Sequence, residues 1–232
     1  MSLSDFQKHR LTFSQQRWGW RYLLFEIIFL PSILSAGNAL LSLNLDAAAL
    51  NFVYFAANAA AAVGIFRQLL LDTLRDVPRL IWKILGIALA GLALYYAAGI
   101  ALAQVFTAVY PGFANVNDLS VGSLAAGNYP LTFLGTVLLV PVAEECFHRA
   151  LVFRGLYDRS PALAWVLSVV LFAGIHVMNY IGYFDRTLLL LCFVQYVPAG
   201  LILAGAYRLS GSLLCPILIH AGVNCLGMLS LR

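Results

Sequence analysis

The chain has 232 residues, of which 62% are hydrophobic and 10% charged, with a formal net charge of +4 and a mean hydropathy of +0.88. Soluble globular domains carry about 45–50% apolar and about 25% charged residues, so this composition excludes a water-soluble enzyme, a disordered chain and a disulfide-stapled secreted domain. The basic residues sit between hydrophobic runs with no basic–aromatic interleaving, which argues against nucleic acid and makes them topology signals in a lipid bilayer.

Apolar runs punctuated by Pro, Gly and charge predict an all-α, polytopic transmembrane helical bundle. After a polar lead too long for a cleaved signal peptide, the first span is expected at Tyr22–Leu43 and the second at Ala47–Phe66. The stretch Arg67–Lys83 mixes charge with Leu and reads as an interfacial helix ended near Pro78. A third span follows at Ile84–Tyr110. Then comes the longest connector, Pro111–Pro130, rich in Asn, Gly and Ser with the single charge Asp118. Four further spans are expected at Leu131–Phe153, Pro161–Ile181, Leu188–Tyr207 and Ser212–Leu231. That gives about seven spans, or eight if the N-terminal segment or the long connector enters the membrane. With no internal repeat or linker, residues 1–232 read as a single domain.

Charge placement tests this parse. With a cytoplasmic N-terminus, eleven of the fourteen Lys and Arg residues fall on inside segments, only Arg186 and Arg232 fall outside, and Arg149 sits within the fourth span. That asymmetry is what the positive-inside rule demands of an odd number of spans. The four cysteines (Cys146, Cys192, Cys215, Cys225) lie in apolar stretches without a CxxC pair and are expected to pack as buried reduced thiols.

The informative residues are polar groups at membrane depth, each costly unless paired or hydrated. Three clusters stand out. The fourth span carries Glu144, Glu145 and Arg149. Residues four apart share a helix face, so Glu145 can pair with Arg149. Glu144 points about 100° away on a regular helix, lacks that partner, and suits general-base work on water. The plain alternative is a helix end with one Glu–Arg pair. The fifth span carries Phe172 and His176, also four apart, so the ring can wall off and orient the imidazole. The seventh carries His220 and Asn224, both able to donate hydrogen bonds to a developing oxyanion, although such a pair can equally be interhelical glue. Together the clusters hold a base, two imidazoles and an amide, the inventory of hydrolysis by an activated water. No convincing nucleophile accompanies them, since neither Ser168 nor Cys146 has a matching base.

In these residues the chain resembles the CPBP family of intramembrane proteases (CAAX proteases and bacteriocin-processing enzymes, also called Abi proteins). The family's signatures EExxxR, FxxxH and HxxxN read here as Glu144-Glu145-xxx-Arg149, Phe172-xxx-His176 and His220-xxx-Asn224, in order and on separate expected spans. The match covers roughly Leu131–Leu231; the first three spans match only in being hydrophobic. The resemblance implies an endopeptidase acting on a membrane-associated peptide or protein, either a prenylated CAAX protein or, in bacteria, other peptides and membrane proteins. It further implies that Glu144 and His176 activate the water, that His220 and Asn224 form the oxyanion hole, and that Glu145 and Arg149 shape the site. His148, at a variable position of the first motif, lies one turn from Glu144 and is expected mainly to pack. The family has also been described as metalloproteases, and Glu and His side chains can hold zinc. HExxH is absent, however, and the expected reaction needs no cofactor, with zinc as the alternative. The resemblance and the short loops point to a prokaryotic plasma membrane. The competing readings are a proton-coupled transporter, which would show two symmetric halves with interrupted spans, and a non-catalytic membrane partner, which would have lost a motif residue. A cytoplasm-facing cavity is expected, and convergence of the three clusters requires tilt, a break such as Pro141, or a shifted boundary for the fifth span.

Overall fold

A computed structural model describes residues 4–8 and 10–232. Among the described residues the chain is helical throughout, without strands. The helices in order are α1 (Ser4–Lys8), α2 (Phe13–Ile28), α3 (Leu30–Leu40), α4 (Ala47–Val109), α5 (Val116–Leu134), α6 (Val140–Glu144), α7 (Gly155–Tyr157), α8 (Pro161–Ile175), α9 (Arg186–Ser210) and α10 (Leu214–Leu229). Two π-helical stretches, Gly135–Leu139 and Glu145–Arg154, join α5 to α6 and α6 to α7.

Three helical stretches are long and apolar enough to cross a membrane: Ala47–Val109, Val116–Tyr157 and Arg186–Ser210. The α2–α3 pair, bent by 55°, makes a fourth. This is an integral membrane protein. α8 and α10, with 15 and 16 residues, are apolar but shorter, about 22–24 Å at 1.5 Å per residue against a hydrocarbon core of about 30 Å.

The expectation that a helix ends near Pro78 is corrected: α4 runs through it for 63 residues, and its one non-helical residue is Phe66 (φ −103°, ψ 17°). A proline removes one backbone donor, and here the chain keeps its helical course on both sides. At about 95 Å of rise, α4 contains both the second and third expected spans, and Phe66 marks the end of the first of them.

The connector Pro111–Pro130 is also corrected, because it is mostly helix from Val116 onward. Asn115 caps it, accepting from the backbone of Asn117 and Asp118. Asn115 and Asn128 in it cap helices rather than marking loop. Asn128 (φ −152°, ψ 86°) breaks this helix and restarts it, its Oδ1 accepting from Leu131 N at 3.2 Å. Pro130 then sits in the first turn, where no donor is needed.

The residues 145–154 form the centre of the molecule. All ten are buried, and Cys146, Phe147, Ala150, Leu151, Val152 and Phe153 pack in one apolar cluster with Leu23, Phe66, Ala164, Ala204 and Tyr207. A helix buried on every side is a core helix, and this one carries Glu145, His148, Arg149 and Arg154 into that core. At its end, Arg154 Nε donates to Phe6 O at 2.9 Å and Nη1 pairs with Asp158 at 3.0 Å, which docks α1 beneath the bundle. Arg79 lies 3.0 Å from Asp5 on the same short helix and holds that carboxyl below its ordinary range. Gly211, in left-handed backbone at φ +74°, ends α9 against α1; a Cβ there would lie 2.5 Å from Asp5 Cβ.

Candidate active site

The π-helical stretch carries the acidic motif, and this changes its geometry. A π-helix closes i→i+5 bonds and occurs mostly as single turns, frequently at functional sites. The regular-helix angle expected between Glu144 and Glu145 therefore falls at a junction, with Glu144 ending α6 and Glu145 opening the π stretch. Pro141, one residue into α6, follows the shorter π turn Gly135–Leu139; with no N–H to bond Val137, it favours such a widening.

Glu145 has two partners. Its Oε1 lies 2.9 Å from His220 Nδ1, and its Oε2 lies 3.1 Å from Arg149 Nε. Glu145 and Arg149 are both 0% exposed. The Arg149 contact is close enough for an ion pair but lies off the hydrogen-bond direction, and Nη1 has no partner. Its Nη2 donates to Gly200 O at 3.4 Å, while the Phe172 ring covers the guanidinium at 4.2 Å, a favourable cation–π distance.

Gly200 makes this possible. A Cβ at this position would lie 3.2 Å from both Val169 Cα and Cγ1, so the missing side chain lets α9 pack backbone-close to α8. Gly200→Leu should cost about 1–3 kcal/mol of stability and reduce hydrolysis by separating the helices that carry His176 and the Arg149 contact. Thermal unfolding and initial rates check this; a variant with wild-type midpoint and rate would contradict it.

Glu144 takes the other imidazole. Its Oε2 lies 4.0 Å from His176 Nε2 and has no hydrogen-bond partner. His176 Nδ1 lies 2.7 Å from Phe172 O. A carbonyl only accepts, so Nδ1 carries the proton, and in the neutral ring Nε2 presents its lone pair toward Glu144. The expected fifth span is corrected here: α8 stops at Ile175, and His176 is its C-cap residue, followed by a turn and a short 3₁₀ segment, Met178–Tyr180.

Phe172 is the hub, its ring centroid 4.9 Å from His176, 5.9 Å from His220 and 5.6 Å from His148. His148 packs edge-on to it and is buried. Ser168 Oγ donates to His148 O at 2.9 Å, so this hydroxyl serves the backbone of the π stretch. Asn224 differs from the sequence expectation of a donor pair with His220. Its Nδ2 donates to Thr136 O at 2.8 Å, in the first π turn, leaving its second N–H uncommitted.

A cavity of about 50 Å³ adjoins Glu144, lined also by Glu26, Tyr54, Asn58, Ala143 and Asn179. That space takes a few waters, not a peptide. Glu26, on α2, is buried and was not singled out from the sequence, because one Glu in an apolar run has no motif around it. Tyr22 and Asn58 bond beside it at 2.8 Å. Tyr196, stacked on His176, likewise gave no signal in the sequence.

Among the described residues no three His, Cys, Asp or Glu side chains converge as a ligand set for a metal. Glu145 is committed to His220 and Arg149, and a cation beside Arg149 is disfavoured.

Residues 126–226 match the family model described as Type II CAAX prenyl endopeptidase Rce1-like. The chain carries a CAAX-protease-family domain. No curated protein and no solved structure matches the chain. The matched stretch holds all three motifs and lies within the last half of the molecule, so the CAAX-protease domain is built by α5 through α10, with α2 and α4 closing the cavity. The family match supports an intramembrane endopeptidase in general, acting on a membrane-associated peptide.

Proposed function

We propose that the protein hydrolyses a peptide bond of a CAAX-type membrane-associated substrate by a glutamate-activated water, without metal. The observation that carries this reading is the pair of carboxylate–imidazole contacts, Glu144 with His176 and Glu145 with His220, made from three elements around one aromatic ring. The family match supports the substrate class.

A water donating to both Glu144 Oε2 and His176 Nε2 with bonds of about 2.8 Å fits their 4.0 Å separation. Glu144 takes one proton as the water oxygen attacks the scissile carbonyl carbon. The carbonyl oxygen becomes an oxyanion, received by His220 Nε2 in its imidazolium form and by the second N–H of Asn224. Glu145 holds His220 through Nδ1, and Arg149 holds Glu145. Collapse of the tetrahedral species breaks the C–N bond, and the proton on Glu144 passes to the leaving amine. The products are a carboxylic acid and an amine, the acid then passing the second water proton to the amine to leave a carboxylate and an ammonium, and the enzyme returns to its starting state.

Seven spans with a cytoplasmic N-terminus, in a prokaryotic plasma membrane, complete the proposal. Its support is the concentration of Lys and Arg on alternate connections and the two spans that α4 accommodates on either side of Phe66. Substrate would reach the glutamates from the cytoplasmic side. A transporter reading lacks the duplicated halves it needs.

The test is cleavage of a farnesylated CAAX peptide by the purified, reconstituted chain, with and without a strong chelator. Full activity after chelation is expected, and loss that zinc restores would replace the water-activating glutamate with a metal centre.

A further inference from the structure

The ring of Tyr196 lies flat on the His176 imidazole, with centroids 4.1 Å apart and planes inclined by 27°. The tyrosine stands on α9 and is clamped from α5. Asn117 Nδ2 donates to its hydroxyl at 3.1 Å, and the hydroxyl reaches Asp118 Oδ1 at 3.5 Å. One turn position away, Asn115 Nδ2 donates to Gln195 Oε1 at 2.9 Å. The first turn of α5 thus grips α9 where Tyr196 leaves it. Beneath, Phe113 and Val116 pack with Val177, Tyr180 and Cys192, so the same turn also braces the chain just after His176.

His176 needs such support. It stands at the C-cap of α8, beyond the last regular turn, and its one hydrogen bond goes to a carbonyl four residues back. That bond fixes Nδ1 but leaves the ring free to rock about it. Phe172 walls one side, 4.9 Å away and tilted by 56°, and Tyr196 closes the other. Packing of α5 on α9 accounts for the Asn115–Gln195 bond but not for an aromatic ring laid on an imidazole and clamped at its far end.

We propose that Tyr196, held by Asn117 and Asp118, is a positioning residue that fixes the plane of His176 so that Nε2 faces Glu144. It rests on the reading of His176 as a partner in water activation. None of the three residues falls in the CAAX-protease motifs, and Asn117 and Asp118 lie before the matched stretch.

The experiment compares kcat and KM of the reconstituted full chain on a farnesylated CAAX peptide. Tyr196→Leu should lower kcat by about 10–100-fold, the scale of a ring misplaced by roughly 1 Å, with KM within about twofold. Tyr196→Phe, which keeps the flat face but loses the hydroxyl that Asn117 and Asp118 hold, should fall between wild type and Tyr196→Leu, several-fold lower in kcat at constant KM. A wild-type kcat for Tyr196→Leu, a raised KM at constant kcat, or a Phe variant as slow as the Leu variant would each overturn the proposal. Thermal unfolding is followed in parallel. If Tyr196→Leu does not fold, Asn117→Ala decides: a several-fold lower kcat at constant KM supports the clamp, and a wild-type kcat overturns it. His176→Ala is measured beside them. If it retains activity, the hydrolytic reading itself fails; if it is inactive while Tyr196→Leu is normal, only the positioning role fails.

Discussion

Replacing Glu144 by Ala should abolish measurable cleavage while leaving the fold intact. General-base assistance contributes about 10²–10⁴ in rate, and Glu144 Oε2 is the carboxylate oxygen that faces His176 Nε2 at 4.0 Å. Glu145 cannot substitute, because its two oxygens are engaged by His220 and Arg149. Glu144 Oε2 has no hydrogen bond to lose, so removal of the carboxylate costs little structurally. The variant should keep its thermal midpoint to within a few degrees and lose kcat rather than gain KM. Cleavage at the wild-type rate would leave the protein a helical bundle with misplaced acids.

Arg149→Ala should have the opposite profile, with stability falling as well as activity. The guanidinium lies 3.1 Å from a Glu145 carboxylate that is 0% exposed, and removing one member of a buried pair costs about 3–5 kcal/mol because a charge is stranded. The double variant Glu145→Gln/Arg149→Met removes both charges and should recover most of that loss. Activity should not recover, because the carboxylate that orients His220 is gone. Unfolding followed by tryptophan fluorescence, with cleavage rates on the same preparations, separates the two effects. Equal stability of the single and double variants would mean that the pair does not act as a unit.

The site was more legible in the sequence than the helices that position it. Costly polar groups in lipid-depth runs announce themselves by composition, and the spacing of four predicted the Glu145–Arg149 and Phe172–His176 neighbours that the structure contains. Which imidazole meets which carboxylate was beyond spacing, because it depends on tertiary crossings such as the glycine contact of Gly200 with Val169. The same holds for Asn224, which sits four residues from His220 yet turns its amide to Thr136. The π stretch was invisible for a different reason. Hydropathy and the 3.6-residue period describe a regular helix, and a widened turn changes the facing of residues without changing their identity. Pro78 and the Asn-rich connector misled in opposite senses: proline was read as a stop where the helix continues, and Asn115 and Asn128 were read as loop where they cap helices. Tyr196 and Glu26 carry no local signal at all, and they matter only through what folds beside them.

The central claim is that Glu144 and His176 act on one and the same water. A double-mutant cycle on kcat, with Glu144→Gln, His176→Ala and their combination, tests it most directly. Groups that work as a unit lose their contribution once, so the double variant should be no slower than the slower single. Losses that multiply would show two independent roles and contradict the shared-water account.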